Sequence, residues 1–379
     1  MSNKLNNRDL FSMNRRQFIK SVSFVGLGAK LDSKDIDNLS KILERTEDKK
    51  IGKMRYRVLG RTGLKISEIG LGGHYDGVGW KEKGSDRQER RNEVIGEAYK
   101  LGINFFDSNE VYESAKIGIA LSELKMKRET VHLAADTNAY ENAKNNLIKK
   151  IVKDTIDEVD RHIEALKTTY VDIFRLTTWS NPYHREGIRA GVEAFNILKK
   201  DGKARFFAIS NHNPKDLLQM IEEIPEVDAL YIPYSYITNK AEEVFPVAKK
   251  KGIGVICIKP YVKGTFFKIK DVDLSKMGAV ISEWLKETDR TPEELVKNNK
   301  QTLAIANLKY ILNNENITAV IPGMETKEEV RENVRASYEG KITGKEMGIL
   351  QDFWKNSKGE NLINEMCSGK YHFLRQWRS

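Results

Sequence analysis

The stretch VHLAADTN, residues 131–138, runs through apolar residues into a carboxylate at Asp136 and then a turn, which is how a buried strand leaves a core. The same unit recurs along the chain. SEIGLGG (67–73), NFFDS (104–108), VDIFRLT (171–177), ARFFAIS (204–210), ALYIPYS (229–235), GVICIKP (254–260) and AVIPGM (319–324) are short runs rich in β-branched and aromatic residues, and with VHLAAD they make eight. Helical patterns lie between them, as at 92–101, 143–166 and 245–251, and supply the crossovers that parallel strands require. RYRVLGRTGLKISEI (55–69) reads as a hairpin ahead of the series. The alternation predicts an α/β chain folded as a (β/α)8 TIM barrel, with a doubly wound open sheet as the alternative. No G-x-G-x-x-G follows the first strand, which weakens that alternative. Barrel chemistry sits where strands end, and this singles out Asp107, Asp136, Thr177, Ser210, Asn211, Lys259 and Gly323.

Composition narrows the class. With 379 residues, 40% of them hydrophobic and 31% charged, the chain can bury a large core and is neither disordered nor fibrous. No apolar run approaches the roughly 18 to 20 residues of a membrane span. The net charge of +10 comes from Lys and Arg interspersed with Glu and Asp, not from an aromatic-interleaved strip, so nucleic acid is not an expected partner. Cys257 and Cys367 are too few for a metal cage, and no metal site is predicted.

The chain divides into an N-terminal leader (1–30), a charged linker (31–53), the barrel (54–345) and a helical tail (346–379). MNRRQFIKSVSFVGLGAK (13–30) sets Arg15, Arg16, Phe18 and Lys20 ahead of a mildly apolar run, an order that resembles a twin-arginine export signal. The export machinery is then a partner and the location periplasmic or otherwise exported. Read instead as a basic tail, the segment leaves the protein cytoplasmic.

From Arg55 to about Ser337 the chain resembles an aldo-keto reductase. RVLGRTGLKISEIGLGG is similar to the family's hairpin and first strand, and GINFFDSNEVYESAKIGIAL to its second strand and the loop beyond. ARFFAISNHNP resembles the segment whose Ser-Asn pair, here Ser210 and Asn211, holds the nicotinamide amide. AVIPGMETKEEVRENV resembles the adenosine-side loop and helix, with Glu332 and Asn333 as the adenine-side pair. The Lys-Pro at Lys259 and the His of SNHNP resemble a branch that often carries a C-terminal iron-sulfur domain. Cys367 alone cannot build that cluster.

The resemblance implies hydride transfer between NAD or NADP and a carbonyl, with a proton-donating tyrosine tuned by a lysine–aspartate pair and a histidine that orients the carbonyl. The aspartate falls on Asp107 and the tyrosine on Tyr112, but the lysine position holds Asp136 and the histidine position Thr177. Two facing acids are expected to raise each other's pKa and that of Tyr112. The positions that often bind a phosphate hold Gly323 and Glu329, where Lys327 or Arg331 could compensate. The amide-binding glutamine is matched by Tyr231. Lys259 and His74 are candidate replacements for the missing cation and the missing histidine, and Trp80 is a candidate pocket wall.

The leading expectation is an exported nicotinamide-dependent oxidoreductase, with a non-standard site, acting on a small carbonyl or sugar-like substrate. The alternative is a barrel that has lost this chemistry and serves as a binding or partner protein. An acid pair could also do glycosidic work, but no other feature of the sequence supports it.

Overall fold

The computed structural model describes residues 53–72, 86–137, 148–178, 185–261 and 292–356. The leader at 1–30, most of the linker, His74, Trp80, Cys367 and the tail beyond 356 lie outside the described residues. Strands β1 (Tyr56–Val58) and β2 (Lys65–Ser67) pair antiparallel as the expected hairpin. Seven parallel strands follow in sequence order: β3 (Phe105–Ser108), β4 (His132–Thr137), β5 (Val171–Thr177), β6 (Ala204–Ser210), β7 (Val227–Pro233), β8 (Gly254–Ile258) and β9 (Ala319–Ile321).

The eighth member closes the ring with less regular structure than its sequence suggested. Ile69 bridges Val320 of β9 and Leu71 bridges Phe106 of β3, both parallel, so the segment 69–71 joins the last strand to the first. Gly70 explains the irregularity. A Cβ there would sit 2.7 Å from Ile321 Cγ2 and 2.8 Å from Phe105 Cδ1, so the seam closes only where the backbone carries no side chain.

The helices lie near their expected places: α1 (Asp86–Lys100), α2 (Val111–Glu123), α3 (Ile148–Ala165), α4 (Arg185–Lys200), α5 (Pro214–Glu223), α6 (Val244–Lys250), α7 (Pro292–Asn313), α8 (Lys327–Tyr338) and α9 (Gly344–Asn356). Alternation along each strand divides the core into two layers. Phe174 and Leu176 of β5 join the large cluster between strands and helices, whereas Ile173 points into the ring with Phe105, Ala134, Ala208, Ala229, Ile256 and Ala319. Leu59, Leu64 and Ile66 of the hairpin region belong to the same inner cluster and plug one end.

Buried acids fasten this plugged end. Glu68 receives Arg55 Nε at 2.8 Å, Arg57 Nε at 2.7 Å and the Ser337 hydroxyl at 3.0 Å, tying the hairpin to α8. Asp172 of β5 accepts the Leu133 N–H at 3.0 Å and pairs with Arg128 and Arg205, each at 2.6 Å. Asp228 of β7 repeats the device with the Phe207 N–H and Arg61. The first helix of the tail is also fastened, because the buried Lys309 of α7 pairs with Glu339 at 3.0 Å and with Glu346 of α9 at 2.5 Å.

Burial alone would raise the Asp172 carboxyl, but the His132 ring, the Arg128 guanidinium and the Leu133 N–H outweigh it and hold the pKa at about 2. A depressed acid adds stability that is present above the ordinary carboxylate range and lost as pH falls through the folded value. The wild-type chain should therefore lose about 2–3 kcal/mol of stability through this group between about pH 5 and pH 1. Asp172→Asn should be less stable at pH 7 and lose less across that window, as urea titrations at several pH values would show.

Candidate active site

The layer above the inner apolar ring carries the chemistry. Two residues beyond Phe105, Ala134, Ile173, Ala208 and Ala229 on the same strand faces stand Asp107, Asp136, Arg175, Ser210 and Tyr231. Thr177 stands two further along β5. Parallel register sets Asp136 beside Arg175, Thr177 beside Ser210, and Ser210 beside Tyr231.

Arg175 organises this layer. Its Nη1 lies 3.2 Å from Asp107 Oδ2 and its Nε lies 3.2 Å from Asp136 Oδ1, with 3% of the side chain exposed. Its Nη2 donates to Asn109 Oδ1, and its Cζ sits 4.6 Å above the centre of the Tyr231 ring. Burial disfavours the guanidinium charge, but Asp107 and Asp136 more than offset it and hold the group charged. Two facing acids without a cation were expected, and the structure corrects this: the like charges are bridged, and Asp107 contributes less to Asp136 than burial, Arg175 or Thr177 does.

Asp136 nevertheless stands out. Burial pushes its pKa up to about 7, against the lowering effects of Arg175 and of the Thr177 hydroxyl, which donates to Asp136 Oδ1 at 2.6 Å. Tyr231 is fully buried, and burial and the nearby Asp107 charge keep it a neutral phenol far above its ordinary range.

The other predicted residues divide into groups. Tyr112, in the first turn of α2 and 37% exposed, donates its hydroxyl to Glu113 Oε1 at 3.2 Å. The other Glu113 oxygen accepts the Asn109 and Glu110 N–H groups and caps the helix. Asn211 is committed within the protein: its amide nitrogen donates to Thr178 Oγ1 at 2.9 Å and Thr178 O at 3.1 Å, and its oxygen accepts the Asn213 N–H at 2.6 Å. Lys259 is not the replacement cation, since its Nζ meets His212 Nε2 at 2.7 Å and Arg175 takes the place beside Asp107. Its φ of 53° is left-handed, a sparsely populated conformation for a lysine.

On the adenosine side, Asn333 Oδ1 accepts the Tyr261 hydroxyl at 2.8 Å. Glu332 Oε1 is buried with no hydrogen-bond partner among the described residues, and burial raises this carboxyl to about 7. Such an orphaned acceptor fits a donor brought by a bound nucleotide. Gly323 is exposed on the loop after β9. The compensating cations are engaged elsewhere: Lys327 pairs with Glu93 at 3.0 Å and Arg331 with Glu97 at 2.7 Å, both on α1. Glu329 caps α8, accepting the Glu325 N–H at 2.6 Å.

Sequence reading missed Arg175. Its signal was the alternation within VDIFRLT, which places an arginine on the inward face with Ile173 and Thr177. Replacing it strands two buried carboxylates, so Arg175→Met should lower stability by about 3–5 kcal/mol. The additional change Asp136→Asn should recover part of that loss in urea unfolding.

Comparison with known proteins agrees with this architecture. Residues 68–355 match the sequence profile described as the aldo/keto reductase family. L-galactose dehydrogenase of Arabidopsis thaliana is 26% identical over 314 residues, covering 79% of this chain and 93% of its own. NADH-specific methylglyoxal reductase of Escherichia coli is 25% identical over 301 residues, covering 73% and 92%. Among solved structures, the holo form of aldo-keto reductase AKR11C1 from Bacillus halodurans superposes with a TM-score of 0.58 at 22% identity, covering 79% of this chain and 96% of that one.

Proposed function

The chain belongs to the aldo/keto reductase family, and from that premise we propose an oxidoreductase that moves hydride between a nicotinamide cofactor and a small polar carbonyl or sugar-like substrate, through a rebuilt proton-handling centre. The observation that carries the reading is the Arg175 guanidinium held between Asp107 and Asp136 beneath the strand ends. Reduction builds negative charge on the substrate oxygen, and a buried, preorganised cation can stabilise it strongly. Arg175 takes over the charge that a lysine at position 136 would supply, from one strand further round the ring. The change is coherent, because a lysine at 136 would face Arg175.

Bound nicotinamide supplies or accepts the hydride. Ser210 and Asn211 form the shelf for its amide end, with Tyr231 beneath as a buried aromatic and Lys259 at the neighbouring strand end. Glu332 and Asn333 serve the adenine end, with the orphaned Glu332 oxygen as acceptor. Around Gly323 and Glu329, the engagement of Lys327 and Arg331 by α1 favours a ribose without a phosphate, and hence NADH over NADPH. Tyr112 is the proton donor, and Asp107 with Arg175 forms its electrostatic background. Export by the twin-arginine machinery completes the proposal, and it rests on the Arg15, Arg16, Phe18 and Lys20 order.

Fluorescence titration should show NADH binding more tightly than NADPH, and absence of either at high micromolar cofactor would leave the barrel as a binding protein. On a panel of small aldehydes and aldoses, Tyr112→Phe should lower kcat by about 100-fold or more while NADH affinity holds. Cell fractionation should find the chain exported, and Arg15→Lys with Arg16→Lys should retain it inside.

A further inference from the structure

Thr177 and Asp136 share one short hydrogen bond at the top of the inner layer, and its direction depends on where a single proton resides. With Asp136 ionised, the carboxylate can only accept, so the Thr177 hydroxyl must point at Oδ1, 2.6 Å away, and is unable to donate elsewhere. With Asp136 in its acid form, the carboxyl O–H can donate to Thr177 Oγ1, which turns the threonine proton outward. Thr177 is the last inward residue of β5, beside Ser210, and its outward direction is the mouth of the ring.

We propose that this pair is a hydrogen-bond switch that gates the reaction: acid-form Asp136 frees Thr177 to donate to the substrate oxygen, and ionised Asp136 holds the Thr177 hydroxyl to itself. The proposal rests on the preceding reading that a carbonyl is reduced here. Thr177 is the catalytic residue, since it touches the reacting oxygen, and Asp136 is a positioning residue acting through it. Neither loses its proton to the substrate. The hydrogen bond polarises the C=O group, while the hydride reaches carbon from the cofactor and the proton reaches oxygen from Tyr112.

The charged and titratable groups around Asp136 leave it as the group that switches. Arg175 of β5 stays charged, Tyr231 of β7 stays a phenol, and burial drives His162 of α3, whose ring approaches the Asp136 backbone carbonyl, down to about 4. Asp107 of β3 is held on Arg175, and Glu158 of α3 accepts the neighbouring Thr137 hydroxyl at 2.5 Å. With its folded pKa at about 7, Asp136 keeps its proton below that pH and releases it above. Carbonyl reduction is therefore fast on the acid side and slows on the alkaline side, where Thr177 is held by the carboxylate.

The test uses the full chain. Infrared spectra of wild type minus Asp136→Asn, in which the Glu332 band cancels, should show a buried carboxylic-acid band that disappears as pH rises through about 7 and is displaced when Thr177→Val is present. In turnover with NADH, wild-type reduction should fall about tenfold per pH unit above 7. Asp136→Asn should be flat and about tenfold faster than wild type at pH 8, because its amide donates to Thr177 at every pH. Thr177→Val should lose about 100-fold at pH 6, and Thr177→Ser should recover most of it. Absence of the titrating band, a wild-type pH profile in Asp136→Asn, or a serine variant no better than valine would each overturn the switch. A band that titrates as expected in a chain that reduces no carbonyl with either nucleotide would overturn the reductase reading, and with it the role given to the pair.

Discussion

A single guanidinium inside the strand ring sets the conditions for everything around it. Two carboxylates buried on adjacent strands cannot both ionise in a low-dielectric interior without a counter-charge, and Arg175 supplies one charge for two acids. Burial drives Asp136 to about 7, and the one guanidinium, shared with Asp107, only partly offsets it. Tyr231 lies beneath the guanidinium, where a ring face stabilises a cation that water cannot reach. The electrostatics of the site follow from that deficit of one positive charge.

The scaffold makes the deficit tolerable by fixing geometry on all sides. Strand register holds Asp136 and Arg175 side by side, the alternation of β5 sets Thr177 above them, and the inner ring of Phe105, Ile173, Ile256 and alanines fills the space below. At the plugged end, Glu68, Asp172 and Asp228 repeat a different solution, in which an acid near a strand start takes a backbone N–H or a hydroxyl and an exterior arginine. Those acids face arginines that reach water and are satisfied. Asp136 is sealed from water with a share of one arginine, and its burial raises its proton affinity.

The fold was legible because it depends on local regularities. Eight apolar runs, a hairpin before them and helical periodicity between them were each visible in short windows, and all eight positions take part in the ring. The weakest was SEIGLGG, where Gly70 gives up side-chain packing to let the seam close, so only bridges form. Asp107, Asp136, Thr177 and Ser210 were singled out because they stand at strand ends, where barrel chemistry sits. Pairings that join distant residues were not visible: Lys259 with His212, Lys327 with Glu93, and Arg331 with Glu97.

The sequence by itself determined the ring, its family and the residues at the ends of β4 and β5, because strand alternation and motif order are properties of neighbouring residues. Tertiary structure alone decided what those residues meet. Arg175 lies 39 residues from Asp136 and 68 from Asp107, and its role exists only when the ring brings three strands side by side and shuts out water. Charge compensation acts through space, over a few ångströms, in a medium that only the folded chain creates.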